Sequence, residues 1–261
     1  RLWGLPRLGA PADYYLLNDF LDGKLPPYKL YIILNPWHLD DSRRAALDRE
    51  LHHDNRVALW IYAPGYIKEK PDLSHMEELT GFRFGKGEHM WGPMINILDF
   101  EHPITQALPE DFSWGTNSRL GPVFHLEDEE ARILGQVVYS QGRCLPGLGV
   151  KEFDGWRSVY AAAPNLPAPL LRGLARYAGV HLYSEAGDVL YAAPQLLAAH
   201  TVGGGARQFQ LPTRAEVVYD LFAGKEVAAD CDVFDVDLPK ASTTLWYTGD
   251  RALLDKIPGN A

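Results

Sequence analysis

The sequence predicts an α/β domain built on a doubly wound, mostly parallel sheet, followed by a small antiparallel β domain. Between Tyr28 and Ile67 an apolar run, a helical stretch and a second apolar run follow one another, and both apolar runs are nearly continuous. Strands covered by helices on both faces read in this way, because neither side of such a strand meets water. After about Asp188 the pattern changes to short β runs separated by turn residues, as in antiparallel modules.

The first strand is the run from Lys29 to Leu34, and the second runs from Arg56 to Tyr62. Between them, Asp41 or Ser42 is placed to cap a helix by accepting backbone N–H bonds, and Leu47 and Leu51 fall one turn apart on one face. Residues 68–150 are punctuated by Lys70-Pro71, Gly85-Lys-Gly87, Gly92-Pro93, Gly121-Pro122 and Pro146-Gly-Leu-Gly149. A strand from Ile133 to Tyr139 stands out there, with its partners left open. From Pro167 onward, Leu170, Leu171, Leu174, Ala175 and Ala178 recur at helical spacing, and Gly179 ends the helix. A strand follows from Val180 to Ser184. The β domain then takes Val189 to Ala193, Leu196 to Thr201, Arg207 to Leu211, Glu216 to Phe222, Val233 to Leu238 and Thr243 to Thr248. The predicted division is 1–187 and 188–261.

Composition narrows the function. The chain has 261 residues, with 25 Lys plus Arg against 34 Asp plus Glu, a net charge of −9. That balance removes the basic footprint needed to bind nucleic acid or an anionic membrane without specificity. The best apolar run, from Val57 to Ile67, is broken by Pro64 and Gly65, well short of the ~18 residues that span a bilayer. A soluble protein follows, with the cytoplasm favoured although the residues do not fix the compartment. Cys144 and Cys231 show no metal-ligand spacing, so they read as buried free thiols rather than as a disulfide framework or a zinc site. The chain begins at Arg1 with neither Met nor a signal-peptide core, so a start upstream of Arg1 is expected.

The motif search excludes more than it finds. Thr80 stands where a phosphate-binding loop ending in Gly85-Lys86 needs its first Gly, and no Gly-rich dinucleotide fingerprint joins a strand to a helix. Gly203-Gly-Gly205 lies between β runs, as a turn would. No nucleophile elbow is present, and His75-Met-Glu-Glu78 lacks the second His of a zinc helix. No cofactor, no metal and no catalytic residue is predicted. His52 and His53 read as solvated helical residues.

Two groups of residues remain as a ligand or interface rim. One is Asn35-Pro36-Trp37 with Ala63-Pro64-Gly65-Tyr66, which follow adjacent parallel strands; ligands in such sheets sit beyond the carboxyl ends of strands. Asn35, Trp37, Pro64, Gly65 and Tyr66 are its candidate residues. The other is His181, Tyr183 and Glu185, which share one face if they lie on a strand.

Several segments resemble the accessory domain of family 42 β-galactosidases and related glycoside hydrolases, the β-galactosidase trimerisation domain. They are Arg7-Leu-Gly-Ala-Pro-Ala-Asp13, Leu16-Leu-Asn-Asp19, Tyr28-Lys29 leading into Tyr31-Ile-Ile-Leu-Asn35, and Leu59-Trp-Ile-Tyr-Ala-Pro-Gly-Tyr66. Leu79-Thr-Gly81, Gly155-Trp-Arg-Ser158, Ala178-Gly-Val-His-Leu-Tyr183 and Val189-Leu-Tyr191 continue the resemblance, and Ala199-His-Thr201, Leu211-Pro212 and Tyr219-Asp-Leu-Phe222 extend it more weakly. The resemblance implies a flavodoxin-like fold similar to class I glutamine amidotransferases, followed by a β-sandwich. Working amidotransferases carry a Cys in the tight turn after a central strand; here that turn looks like Ala63-Pro-Gly-Tyr66, without a thiol. A first strand expected before the Arg7 segment is absent from the chain. The implied role is a non-catalytic assembly and accessory region of a β-galactosidase-like protein. Its implied partners are further copies of itself and an upstream catalytic barrel of the same polypeptide. Carbohydrate is a further candidate partner, through a stand-alone binding module with Trp37, Tyr66, Trp91 and Trp114 as platforms. A third reading, a hydrolase drawing two carboxylates from Glu152, Asp154, Glu185 and Asp188, has no spacing rule behind it.

Overall fold

The computed structural model describes residues 4–23, 25–34, 36–88, 92–138, 143–254 and 256. The chain forms two compact units, one of residues 14–179 and one that joins residues 1–13 to 180–261.

In the unit of residues 14–179, a short helix α1 (Leu17–Leu21) precedes β1 (Leu30–Leu34), α2 (Asp41–Leu51) and β2 (Arg56–Ile61). Then come α3 (Leu73–Thr80), β3 (Phe84–Gly87), β4 (Met94–Ile97), β5 (Ser113–Gly115), β6 (Val123–Leu126) and β7 (Arg132–Val138). β8 (Cys144–Phe153), β9 (Trp156–Ala161) and α4 (Ala168–Tyr177) complete it. Seven strands make one sheet in the order β1-β2-β9-β8-β7-β4-β5, and β3 pairs with β6 in a separate ribbon. The β1–α2–β2 unit is as the apolar runs predict, with β1 parallel to β2 and β2 parallel to β9. The expectation of a mostly parallel sheet is corrected: β9–β8, β8–β7, β7–β4 and β4–β5 are all antiparallel. The cause lies in residues 68–150, where Gly and Pro break the chain into short strands and α3 is the one helix among the described residues.

Every residue of β2 is buried, and the interior continues through Val159 and Tyr160 of β9 and Leu170, Leu171 and Leu174 of α4. Trp60 donates its indole N–H to Ser158 Oγ at 3.1 Å, and that hydroxyl donates to the Thr80 carbonyl at 2.7 Å, so these two buried side chains are paired. Leu47 and Leu51 are buried together. The cap of α2, however, is Asp40, one residue before the expected positions: Oδ1 accepts from the Arg43 amide at 2.9 Å and from Ser42 Oγ at 2.8 Å. Gly179, at φ 70°, follows the last turn of α4. Gly173 within α4 lies so close to residue 104 that an added Cβ would collide with the Ile104 carbonyl oxygen. Neither thiol is fully buried; Cys144 is exposed at the start of β8 and Cys231 is half-buried, and neither is in a disulfide. His52 is not simply solvated, because its ring stacks on Trp156 at 3.8 Å.

In the other unit, a 3-10 turn at Leu5–Arg7 accompanies β10 (Val189–Ala193), β11 (Leu196–Thr201), β12 (Gly205–Asp220), β13 (Lys225–Leu238), β14 (Ser242–Gly249) and a terminal turn of helix, α5 (Arg251–Leu254). No strand covers Val180 to Ser184, contrary to expectation. The strands form one antiparallel sheet, β10-β11-β14-β12-β13, and not the two stacked sheets of a sandwich.

That single sheet encloses its own core because β12 bends. Asp220 of β12 pairs with Trp246, yet the Phe209 ring, eleven residues earlier, lies 4.9 Å from the Trp246 ring. A straight strand would hold them roughly 36 Å apart. The register passes from Gln210↔Val233 to Ala215↔Cys231, five residues on β12 against two on β13. The bulge holds Pro212, which lacks the N–H that a regular ladder needs. Folded over in this way, Phe209 and Phe234 pack with Leu190, Leu197, Val218 and Trp246.

Candidate functional site

The carboxyl ends of β1 and β2 run into two loops that are laced together. The Gly65 amide donates to Pro36 O at 2.7 Å, Ile67 to Trp37 O at 2.8 Å, and Leu39 to Ile67 O at 3.1 Å. Arg44, on the first turns of α2 and 6% exposed, fixes them from beneath. Its Nε donates to Leu39 O at 3.1 Å, Nη1 to His75 O at 2.5 Å and Nη2 to Gly65 O at 2.5 Å. Five N–H donors in a planar fork suit a guanidinium to three carbonyls that converge from two loops and the first turn of α3. Burial lowers the Arg44 pKa from its ordinary value.

The turn after β2 is strained and closed. Tyr62 has φ 66°, uncommon for a residue with a large side chain, and is held by Tyr160 Oη donating to its carbonyl at 2.8 Å. Its own hydroxyl donates to Pro122 O at 2.6 Å, and burial pushes the phenol pKa up to about 12. Gly65 also needs positive φ, 64°, with Arg44 directly against it. Trp37, Tyr62, Tyr66 and Phe124 pack edge to face, with ring centroids 5.0–6.3 Å apart. Nothing in this turn offers an activated nucleophile: it presents a spent phenol, a Pro and a Gly, all buried.

Beyond the turn lies a shallow cleft of about 290 Å³ lined by His38, Asp40, Asp41, Lys68, Glu69, Lys70 and His75. Lys68 Nζ is 2.7 Å from Asp41 Oδ1 and 3.5 Å from Glu78 Oε2. The Lys68 hydrogen bond holds the Asp41 carboxyl below its ordinary pKa, and the Arg43 amide does the same for Asp40. Asp40, Asp41 and Lys68 thus already have partners within the chain. No set of three or more His, Cys, Asp or Glu placed to hold a metal occurs among the described residues.

Of the predicted rim, Trp37, Pro64, Gly65 and Tyr66 do meet, but as packing: Tyr66 is 6% exposed, and Trp37 is half-buried against the Tyr62 and Tyr66 rings. Asn35 lies outside the described residues, as does Trp91. Trp114 is buried at 4% exposure, so neither it nor Tyr66 presents an open ring face. The cleft residues and Arg44 escaped the sequence reading. Its rule located the two loops, but which residues turn outward depends on the lacing between them.

The group at 181–185 lies in the other unit on irregular chain. His181 Nε2 donates to Gln210 O at 2.9 Å, and its ring meets Tyr183 edge to face at 4.9 Å. Tyr183 is tied through its backbone to Gly9 and Gln210, and burial raises its phenol pKa. Glu185 is exposed. Among the other carboxylates weighed for hydrolysis, Glu152 accepts from Tyr177 Oη at 2.7 Å, and Asp188 is ion-paired with Arg207 at 2.5 Å. No described helix is long and apolar enough to cross a membrane.

No family model and no curated protein matches the chain. Solved structures do. The β-galactosidase from Bacillus circulans sp. alkalophilus superposes with a TM-score of 0.59 at 16% identity, over 85% of this chain and 33% of that one. The β-galactosidase from Rahnella sp. R3 gives 0.61 at 13% identity, over 94% and 35%. Gan42B, a GH42 β-galactosidase, gives 0.54 at 13% identity, over 85% and 32%. The chain therefore spans about a third of these enzymes' length, and at such identity the likeness is one of fold.

Proposed function

We propose that this chain is a non-catalytic assembly and accessory region of a β-galactosidase-like glycoside hydrolase, on a degenerate amidotransferase-like fold. The observation that carries the reading is the turn after β2. Where a working amidotransferase-like site would present a thiol, this turn presents Tyr62 to Tyr66, its phenol spent on Pro122 and its backbone sealed by Arg44. The likeness of fold to part of three β-galactosidases supports the same reading, as does the parallel β1–β2–β9 part of the sheet. In this reading the carboxylates that cleave a glycosidic bond belong to a barrel elsewhere in the polypeptide, and this region joins copies and frames that barrel.

Sedimentation of the isolated chain and of the full gene product, with a nitrophenyl galactoside assay of both, tests the proposal. The expected result is self-association of each and turnover only by the full product. A monomer in both preparations overturns the assembly role, and turnover by the isolated chain overturns the non-catalytic one.

A further inference from the structure

We propose that residues 99–111 form a lid on α4 that acid releases, with His102 as its latch. This goes beyond the assembly reading above and does not rest on it.

The segment is bonded within itself. The Thr105 and Gln106 amides donate to His102 O at 2.9 and 2.8 Å, and the Leu108 amide donates to Thr105 O at 2.9 Å. Thr105 Oγ1 donates to Asp99 O at 2.6 Å. Among the described residues, no backbone hydrogen bond joins residues 101–111 to α4. Burial holds the segment there instead: His102, Ile104, Thr105 and Leu108 are 5%, 1%, 0% and 7% exposed, while Pro103, Gln106, Ala107 and residues 109–111 face solvent. The dock is one face of α4, where Gly173 and Tyr177 lie one turn apart. The Ile104 backbone rests against Gly173, where no Cβ fits, and the His102 ring lies 5.0 Å from the Tyr177 ring. At the base of the segment, Arg132 Nε on β7 meets Asp99 Oδ2 at 2.7 Å. Small units docked by a few side chains open on their own, at less cost than global unfolding.

Of the four docking side chains, only His102 takes up a proton near neutral pH. Docking needs it neutral, because its Nδ1 accepts from the Ile104 amide at 3.2 Å and a proton on that nitrogen would set two donors against each other. The charges around the ring are already engaged. Arg132 opposes a proton; Asp99 and Glu152 of β8 favour one, but Asp99 is paired with Arg132, and Glu152 Oε1 accepts from Tyr177 Oη at 2.7 Å. Glu101 beside it is exposed, and Arg157 of β9 lies against the Tyr177 ring at 4.4 Å. Once undocked, the ring returns to water and to an ordinary pKa. Below pH 6.5 the open form therefore takes a proton that the docked form refuses. Each further pH unit then favours opening by up to about tenfold, until the docked ring is itself protonated. Opening uncovers the Gly173–Tyr177 face of α4.

Amide hydrogen exchange of the chain between pH 7 and 5, resolved by residue and corrected for the pH dependence of the exchange chemistry, tests the lid. A turn this short does not keep its own hydrogen bonds once undocked, so the Thr105, Gln106 and Leu108 amides report opening. In the wild type their exchange should accelerate about tenfold over that range, while the amides of Val57 to Trp60 in β2 stay protected. In His102→Asn, whose side-chain oxygen accepts the Ile104 amide but takes no proton, the acceleration should vanish. If the three amides of the wild type do not accelerate, or exchange in step with β2 at every pH, the segment is no lid. If they accelerate equally in His102→Asn, His102 is not its latch.

Discussion

Arg44 shows how one side chain organises a surface it does not occupy. It sits under the cleft loops, and its three bonds join carbonyls that belong to residues 39, 65 and 75. Arg44→Leu preserves the apolar stem but leaves those carbonyls without their donor, and should cost about 2–4 kcal/mol in urea denaturation. His102 makes a prediction about pH. It is 5% exposed, and its Nδ1 accepts from the Ile104 amide at 3.2 Å, which requires that nitrogen to be unprotonated. Burial, then the Arg132 charge, lower its pKa below the ordinary 6.5. Below pH 6.5 the unfolded chain therefore binds a proton that the folded chain refuses, and stability falls as pH falls. His102→Asn, whose side-chain oxygen can accept the same amide, should flatten that fall below pH 6.5 in melts across pH.

At the scale of elements, α4 offers a test with the opposite sign to helix propensity. Ala is favoured over Gly inside a helix by about 1 kcal/mol, yet Gly173→Ala should destabilise by about 2–3 kcal/mol because the new methyl meets the Ile104 carbonyl, a backbone atom that cannot swing aside. Chemical denaturation reads the sign directly. The elements legible in the sequence were those with continuous periodicity: β1, α2, β2, β7 and α4 follow from their own apolar residues. The antiparallel half of the sheet was not legible, since Gly and Pro mark where strands end but carry no information on which strands pair. Likewise Pro212 marked a break correctly, but the structure uses it as a bulge inside one long strand, joining two predicted runs into β12. Of the rim, Tyr66 packs inward and Trp37 is half-buried, because apolar aromatics after a strand are as ready to pack inward as to face a ligand.

For the molecule as a whole, the sheet order carries a consequence for synthesis. β9 is the last of its seven strands to leave the ribosome, yet it occupies the third position, parallel to β2 on one side and antiparallel to β8 on the other. From the emergence of Ile61 to that of Trp156 the nascent chain carries a β1–α2–β2 unit whose β2, apolar from Val57 to Ile61, has no neighbour on one side. At typical translation rates of about 5–20 residues per second that interval lasts roughly 5–20 s. A hydrophobic strand exposed for so long is a natural client for ribosome-associated chaperones, and rare codons placed within this stretch would lengthen its exposure and lower the yield of native protein.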